Sequence, residues 1–286
     1  MCAICGCGAA DHPEHHGENH GHDHGHDHGH DHGADDSHGD AHGHGHGHPH
    51  AVRDRGLVAG ARMERIEQEL LAKNDELAAQ NRAWFAERSI AALNLIGAPG
   101  AGKTSLLEAT ARRLAGAPAI SVLEGDQETD ADARRIREAG CETLQINTGA
   151  GCHLDASMIG GAMARLGPPP GSLLFIENVG NLVCPALFDL GERSKVVVLS
   201  VTEGADKPLK YPHVFRASDV FVLNKIDLLP HVSFDVAACI ANARRVNPGL
   251  EIFEVSATTG EGMDAWCDWL RELTEARGAA GAEATR

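Results

Sequence analysis

A glycine-rich stretch, GAPGAGKT at residues 97–104, has the residue types and spacing of a phosphate-binding loop. It fits G-x-x-x-x-G-K-[ST], follows an apolar run and opens a helical pattern. Its glycines allow backbone N–H groups to approach phosphate oxygens, and the helix N-terminus adds partial positive charge. Lys103 is expected to reach the β- and γ-phosphates, and the Thr104 hydroxyl is expected to ligate Mg²⁺. The predicted loop residues are Gly97, Gly100, Ala101, Gly102, Lys103, Thr104 and Ser105.

A second motif, NKID at residues 224–227, ends a later apolar run and predicts which purine is bound. A carboxylate at Asp227 can accept hydrogen bonds from guanine N1–H and from the guanine 2-amine. Adenine has a lone pair at N1 and lacks that amine, so it would leave the carboxylate unpaired. The sequence therefore predicts GTP rather than ATP. The predicted base-site residues are Asn224, Lys225 and Asp227, together with Ser256 and Ala257, where G-proteins brace the base through backbone amides.

Two acidic residues are candidates to complete the phosphate site. Asp126, in EGDQETDAD, is expected to end the second strand and to act as a Mg²⁺ partner in a first switch segment. Glu177, in FIENVGN, stands where a Walker B acid would, and the Gly180 amide could contact a γ-phosphate. Thr104, Asp126 and Glu177 are thus the predicted Mg²⁺ ligands, and Lys103, Asp126 and Glu177 the predicted catalytic set. Either acid could instead be a helix-capping or loop carboxylate.

Three cysteines lie within the first seven residues, MCAICGC. The C-x-x-C spacing of Cys2 and Cys5 brings two thiolates within reach of one ion, and Cys7 provides a third. Thiolates bind soft or borderline metals, so Ni²⁺ and Zn²⁺ both fit. The sequence predicts a metal motif over residues 1–9, and a terminus with incidental cysteines is the alternative.

Cys152, His153 and Cys184 form a second group of metal-binding residue types. Adjacent residues on a strand point to opposite faces, so Cys152 and His153 can share an ion only from a loop or a helix start. The stretch GAGCHLDAS is typical of such a junction. Three donors leave a tetrahedral site one ligand short, and a second chain across a two-fold axis could supply it. Buried structural cysteines are the alternative; Cys141, Cys239 and Cys267 are interpreted as small apolar residues.

Residues 10–50 form a low-complexity tract of His, Gly and Asp, and the first 50 residues hold 16 of the 19 histidines. The tract has too little apolar surface to offset its ordering entropy, so we expect disorder. Imidazoles with a pKa of about 6.5 are mostly neutral and able to bind metal near neutral pH. The interleaved aspartates attract divalent cations. The predicted weak nickel reservoir includes His22, His24, His26, His28, His30 and His32.

The elements that position these residues follow from the rest of the pattern. A leading helix is predicted over 57–88, a G domain over 89–277 and a frayed tail over 278–286. Predicted strands cover 90–97, 119–124, 142–146, 172–177, 195–201, 219–224 and 251–257. Predicted helices lie near 103–115, 130–139, 155–166, 233–246 and 261–276. Several strands are apolar throughout, so the alternation predicts an α/β fold with a doubly wound, mostly parallel sheet.

The composition and charge of the chain argue against a nucleic-acid-binding protein and against a membrane protein. The chain has 41 acidic and 25 basic residues, and 9 of its 16 net negative charges lie in residues 1–50. The remainder shows no basic stripe, which argues against a nucleic-acid partner. No run approaches the roughly 18 apolar residues of a membrane span, and the N-terminus lacks a signal-peptide pattern. We therefore expect a cytoplasmic protein without membrane contact, whose thiols remain reduced.

Together these stretches resemble the hydrogenase nickel-incorporation GTPase family, HypB. The similar stretches are MCAICGC, the histidine tract, KNDELAAQNR, GAPGAGKT, EGDQETDADARRI, CHLDA, ENVGNLVCP, EGADKPLKYP and NKIDLL. The resemblance covers nearly the whole chain and implies a SIMIBI-type P-loop G domain that dimerises with GTP. It implies a nickel site at Cys2, Cys5 and Cys7, and a Ni/Zn site at the dimer interface from Cys152, His153 and Cys184. Some family members lack the tract and others the terminal cysteines, whereas this chain has both.

The resemblance also implies slow GTP hydrolysis that times nickel delivery, with GTP, Mg²⁺, Ni²⁺ and Zn²⁺ as ligands. It implies a HypA-type nickel chaperone as partner and a [NiFe]-hydrogenase large-subunit precursor as recipient. Lys207 and Lys210, in ADKPLKYP, could reach across a dimer to the partner's nucleotide or could be solvated loop lysines.

Three alternative functions compete with this interpretation. A urease accessory GTPase has a similar fold but carries Cys-Pro-His, whereas Cys152 and His153 are adjacent here. A passive nickel or zinc store would use the histidine tract but would leave the phosphate-binding loop and NKID without a role. An ATP-dependent kinase is disfavoured by Asp227.

Overall fold

The computed structural model describes residues 51–114, 116–126, 130–149 and 151–283, which build a seven-stranded sheet. The strands are β1 (Ala91–Gly97), β2 (Ile120–Asp126), β3 (Glu142–Asn147), β4 (Leu173–Glu177), β5 (Ser194–Ser200), β6 (Val220–Asn224) and β7 (Glu251–Glu254). Their order is β3-β2-β4-β1-β5-β6-β7, and every neighbouring pair is parallel. The predicted doubly wound, mostly parallel α/β fold is confirmed, and the observed sheet is parallel throughout.

Helices cover both faces of this sheet. They are α1 (Ala51–Glu87), α2 (Lys103–Leu114), α3 (Ala131–Glu138), α4 (Ala156–Leu166), α5 (Cys184–Leu187), α6 (Lys207–Lys210), α7 (Pro212–Ala217), α8 (Val236–Val246) and α9 (Met263–Glu283). A 3₁₀ helix spans Ile226–His231. Because successive strand residues point to opposite faces, Leu93 of β1 packs with α2 and α9, whereas Ala92 packs with α4.

The ends of the strands place the functional residues. Gly97 ends β1, and Asp126, Glu177 and Asn224 end β2, β4 and β6. Because all seven strands are parallel, these carboxyl ends lie along one edge of the sheet. Strand β1 is at the point where the strand order reverses, since β2 to β4 lie on one side of it and β5 to β7 on the other. Ligands of open α/β sheets bind in the crevice at such a point.

The leading helix is fixed to the G domain by buried amides. Asn81 Nδ2 donates to the carbonyl oxygens of Ala156, at 2.8 Å, and Leu190, at 3.1 Å. Asn74 Oδ1 accepts from the Ala156 amide at 2.9 Å. Phe85, near the end of α1, is fully buried. The helix therefore holds the first residue of α4, just after the Cys152-His153 loop.

Several predicted boundaries differ from the structure. Helix α1 begins at Ala51 instead of residue 57, and α9 continues to Glu283, into the tail that was expected to be frayed. Strand β7 ends at Glu254, three residues before its predicted end. The sequence missed α5, α6 and α7, which have four to six residues and a proline in their first turn. Such short segments cannot show a helical period.

Residues 1–9 and 10–50, with their predicted metal motif and disordered tract, lie outside the described residues. Within the described part of the chain, no helix is both long enough and apolar enough to cross a membrane.

Candidate nucleotide and metal sites

The loop between β1 and α2 requires glycine for steric reasons. Gly100 and Gly102 have φ values of +79° and +92°, in the region that side chains disfavour. A Cβ atom at Gly97 would lie 2.6 Å from the carbonyl oxygen of Val198 on β5. The loop therefore passes close to the sheet and turns tightly into α2, as a phosphate-binding loop must.

Lys103, the first residue of α2, is buried beneath this loop. Its Nζ donates to the Gly97 carbonyl oxygen at 3.3 Å. Burial lowers the pKa of Lys103, and the nearby carboxylate of Glu177 opposes that shift. The ammonium thus lies inside the loop, where only a weak hydrogen bond to a carbonyl would have to be given up for a phosphate oxygen.

Thr104 and Glu177, two of the predicted Mg²⁺ ligands, are in direct contact. The Thr104 hydroxyl donates to Glu177 Oε1 at 2.8 Å. The second oxygen of Glu177, Oε2, is buried and has no hydrogen-bond partner among the described residues. Burial raises the pKa of Glu177 to about 7, against the effect of Lys103. A buried carboxylate with a spare oxygen is costly unless a cation comes to it.

Glu124 is a residue of this site that the sequence reasoning missed. It lies on β2 directly beside Glu177 of β4 in the strand register. Its Oε2 is also buried without a hydrogen-bond partner in the described chain. Burial raises the pKa of Glu124 to about 8, and the charges of Glu177 and Asp126 add to the rise. A glutamate within the apolar run ISVLE was the available signal.

These groups line a cavity of about 570 Å³. The loop lines it through Gly100, Gly102, Lys103, Thr104 and Ser105, the strand ends through Glu124, Asp126 and Glu177, and the segment after β4 through Gly180. The predicted Mg²⁺ ligands are thus brought to one cavity. Oxygen donors, two of them carboxylates, are the set that Mg²⁺ prefers, and the spare oxygen of Glu177 makes the residues fit that ion.

A second cation faces the same cavity and was also missed. Arg135 of α3 lines it and donates to the Ser105 hydroxyl at 3.2 Å. Its guanidinium pairs with Glu108 and with Asp132, at 3.1 and 3.0 Å. Lys103 and Arg135 therefore offer positive charge from two sides of the cavity. The run ADARRI gave little indication of a role for Arg135 in this site, because the Arg135 side chain reaches the loop only through tertiary packing.

The predicted base site lies at the ends of β6 and β7. Asn224 Nδ2 donates to the carbonyl oxygens of Ala101, at 3.2 Å, and Gly102, at 3.3 Å. Lys225 adopts a left-handed φ of 64°, and its Nζ donates to the Gly100 carbonyl at 2.6 Å. The NKID segment is therefore fastened to the phosphate-binding loop.

Ser256 and Ala257 contact the NKID side chains directly. The Ser256 hydroxyl donates to Asp227 Oδ1 at 2.5 Å, and the Ala257 amide donates to Asn224 Oδ1 at 3.3 Å. The sequence predicted that these residues would brace the base through backbone amides. In this structure the two residues also orient the side chains that would read the base.

Cys152, His153 and Cys184 converge on one point. Their ligand atoms all lie within 4.8 Å of one another. The two Sγ atoms are 3.2 Å apart, and Cys152 Sγ is 3.7 Å from His153 Nδ1. Two thiols and an imidazole are donors for borderline metals, so the residues fit either Ni²⁺ or Zn²⁺. As predicted, the first two residues lie in a loop that leads into a helix, α4.

The surroundings hold this cluster ready for metal. Cys184 is fully buried and begins α5, whereas Cys152 and His153 are half-buried. The His153 ring stacks on Phe188 with centroids 4.0 Å apart. Burial lowers the pKa of His153, which keeps the imidazole neutral and able to ligate a metal. Cys152 also lines the cavity beside the phosphate-binding loop, so the two sites adjoin.

The other described cysteines behave as small apolar residues, as predicted. Cys141, Cys239 and Cys267 are buried. Burial raises the pKa of Cys141 to about 11 and that of Cys239 to about 12. Thiols so reluctant to ionise are poor metal ligands.

Comparison with known proteins decides the family. The family model described as "CobW/HypB/UreG, nucleotide-binding domain" matches residues 91–254. The hydrogenase maturation factor HypB of Azotobacter vinelandii is 59% identical over 226 residues, which are 79% of this chain and 75% of that protein. The chain belongs to the HypB family of hydrogenase maturation factors.

Two solved HypB structures share the fold. The HypB structure from Archaeoglobus fulgidus is 43% identical with a TM-score of 0.67, covering 71% of this chain and all of that one. HypB from Helicobacter pylori, solved in complex with nickel, is 36% identical with a TM-score of 0.67, covering 71% of this chain and 95% of that one.

The remaining predicted HypB residues are placed as follows. Two predicted groups lie outside the described residues: the terminal cysteines Cys2, Cys5 and Cys7, and the six reservoir histidines from His22 to His32. Lys207 pairs with Glu203 at 3.5 Å, and Lys210 pairs with Asp206 at 2.7 Å. Within one chain, both lysines therefore contact acids of their own loop.

Proposed function

We propose that this chain is a GTP-hydrolysing nickel chaperone that binds Ni²⁺ and delivers it during maturation of a [NiFe]-hydrogenase. The observation that carries the proposal is that Cys152 belongs to both sites. Its thiol belongs to the metal cluster, and the same residue lines the cavity beside the phosphate-binding loop. The family gives hydrogenase maturation as the context, and the nickel bound by the Helicobacter pylori relative gives the cargo.

The chemical step would use the cavity residues for positioning and charge. Lys103 would exchange the Gly97 carbonyl for β- and γ-phosphate oxygens and offset the charge that develops there. Thr104, Asp126 and Glu177 would hold Mg²⁺, which when bound supplies charge neutralisation at the β- and γ-phosphates. Arg135 would add positive charge from α3. Asp227 would select guanine, and Ser256 would keep its carboxylate in place.

The cluster would hold nickel during this cycle. The described residues of one chain supply three donors, so a tetrahedral ion would take its fourth ligand from elsewhere, such as water or a second chain. We propose that GTP brings two chains together and that the second chain borders this site. Within the proposal the protein works in the cytoplasm, where thiols stay reduced. A HypA-type chaperone and the large-subunit precursor would be its partners, and the histidine tract a nickel reserve.

The testing experiment compares nickel stoichiometry and GTP hydrolysis in the full chain and in its Cys152→Ala and Cys2→Ala variants. We expect each variant to lose one tight site while GTP hydrolysis remains. Cys141→Ala is the matched control, because it removes a thiol outside the cluster. If the full chain binds nickel but hydrolyses no GTP, the proposal is wrong and the protein is a passive metal store.

Deletion of residues 12–50 tests the reservoir. It should remove most of the weak nickel capacity, with binding that fades as the pH falls through about 6. Hydrolysis of GTP should survive the deletion. Unchanged nickel stoichiometry after deletion would contradict the reservoir.

A further inference from the structure

The segment that joins β4 to α5, residues 178–183, touches both the phosphate-binding loop and the metal cluster. Asn181 forms an isolated antiparallel bridge with Gly97, at the start of the loop. A Cβ atom at Gly180 would lie 2.9 Å from the Pro99 side chain. The segment is therefore packed against the loop at two successive residues, and Asn181 lines the nucleotide cavity.

The Asn181 side chain links this segment to both halves of the metal cluster. Its Nδ2 donates to the Cys152 carbonyl oxygen at 3.3 Å. Its Oδ1 accepts from the Val183 amide at 2.8 Å, immediately before Cys184 begins α5. One amide group thus bridges the two chain segments that supply the cysteines, which are 32 positions apart.

The base of the segment is held in place from the opposite side. Asn178 Oδ1 accepts from the Leu154 and Val179 amides, both at 3.1 Å, and its Nδ2 donates to Asn94 Oδ1 at 3.2 Å. Asn178 and Asn94 are fully buried, whereas Asn181 is half-buried. A displacement caused at the cavity would therefore occur at the Asn181 end, while the Asn178 end stays fixed.

We infer that Asn181 is the positioning residue that couples the state of the nucleotide to the metal cluster. When a γ-phosphate draws or displaces residues 180 and 181, the Asn181 amide shifts the Cys152 carbonyl and the start of α5 together. The separation of the two thiols, and with it the affinity for metal, changes as a result. This inference rests on the proposed function, because it needs a protein that binds both ligands.

Linkage supplies a clean measurement of this coupling. The factor by which a nucleotide changes metal affinity equals the factor by which the metal changes nucleotide affinity. The experiment measures binding of a fluorescent, non-hydrolysable GTP analogue to the full chain, with Mg²⁺ present and with or without saturating Ni²⁺. Because this coupling ratio compares each variant with itself, a general loss of nucleotide affinity cancels.

We expect a coupling ratio of about fivefold or more in the full chain and a ratio of about one in Cys152→Ala. Asn181→Ala should bring the ratio to about one. Asn181→Asp keeps an acceptor for Val183 and removes the donor to Cys152. Loss of coupling in both variants assigns the link to the Cys152 carbonyl, and loss in the alanine variant alone assigns it to Val183.

Asn247→Ala is the matched control. Asn247 donates to the Phe215 and Ser218 carbonyls at 3.2 and 2.9 Å and accepts from the Gly249 amide at 3.0 Å. This hydrogen-bond pattern resembles that of Asn181, but none of these partners lines the nucleotide cavity. Its variant should keep the full coupling ratio.

A wild-type ratio in Asn181→Ala would overturn the inference. If that variant does not fold, Asn181→Leu decides, because leucine has a similar size and likewise removes both the donor to Cys152 and the acceptor for Val183; a wild-type ratio there overturns the inference. A coupling ratio of one in the unmodified chain would also overturn the inference, because the metal and nucleotide sites would then not be coupled. Nickel binding and GTP hydrolysis in the same preparation would then still support the proposed function.

Discussion

The two ends of the nucleotide site differ in how their polar groups are satisfied. At the base end, Asp227 accepts from Ser256, and Asn224 is bonded to the phosphate-binding loop and to Ala257. At the phosphate end, Glu124 and Glu177 each bury an oxygen that lacks a hydrogen-bond partner in the described residues. The base end is thus ordered by the protein itself. The phosphate end buries two acidic groups that still need a ligand.

This difference has a physical cause. A base is recognised by hydrogen bonds whose geometry must be fixed beforehand, because ordering side chains at binding would weaken the complex. Phosphates and their cation instead need strong charge, and buried charge is costly until the counter-charge arrives. Substitutions at the phosphate end should therefore change catalysis and stability. Substitutions at the base end should change affinity and selectivity.

The largest expected effect is at the phosphate end. Lys103→Ala should lower the rate of GTP hydrolysis by about a hundredfold or more, because it removes a charge aimed at the transferring phosphoryl group. Single-turnover hydrolysis measures the loss. Lys73→Ala, at an exposed position of α1, is the control. Undiminished hydrolysis in the Lys103 variant would show that the catalytic charge lies elsewhere.

The next effect is a change of base preference at the other end. Asp227→Asn should weaken GTP by about 2–4 kcal/mol, because the amide cannot accept two hydrogen bonds from guanine. Affinity for xanthosine triphosphate should rise, since the new amide can donate to the xanthine O2 carbonyl. Competition binding with the two nucleotides measures both changes. Equal binding of ATP and GTP by the unmodified protein would contradict the role of Asp227.

A smaller effect concerns stability and pH at the phosphate end. The pKa of Glu124 is raised to about 8 in the folded protein, so the folded state holds a proton that the unfolded state has released. Stability from this group is therefore lost as the pH rises from about 4.5 to about 8. Glu124→Gln should stabilise the nucleotide-free protein by roughly 1–2 kcal/mol at pH 8 and hardly at pH 5.

Thermal unfolding across this pH range measures the Glu124 effect, with the exposed Glu138→Gln as control. A gain that is equal at both pH values would mean that burial of charge is not the cause.

The smallest effect should come from the support of Asp227. Ser256→Ala removes the hydroxyl that holds the Asp227 carboxylate and should weaken GTP by about 1 kcal/mol. Ser172→Ala is a matched control, because that buried hydroxyl has no hydrogen-bond partner among the described residues. Isothermal titration with GTP separates the two. Equal affinities would show that Asp227 is held without Ser256.

Much of the fold was predictable because its signals are local. The glycine pattern at 97–104 forms its loop for reasons of backbone conformation, and the apolar runs marked each strand to within a few residues. Cys152, His153 and Cys184 were grouped from residue type and position in the chain, with buried structural cysteines as the alternative, and the structure brings them together. The short helices escaped detection because four to six residues cannot display a period.

The sequence alone determined which chemistry the chain can attempt: a phosphate-binding loop, a guanine-selective motif, and thiols with an imidazole. Only the tertiary structure decided which groups share a cavity. Glu124 enters the site because β2 pairs with β4 in one particular register, and Arg135 because α3 packs beside α2. Asn181 joins the two sites because residues far apart in sequence meet at one edge of the sheet. Such contacts depend on the relative placement of whole elements, which local residue patterns do not encode.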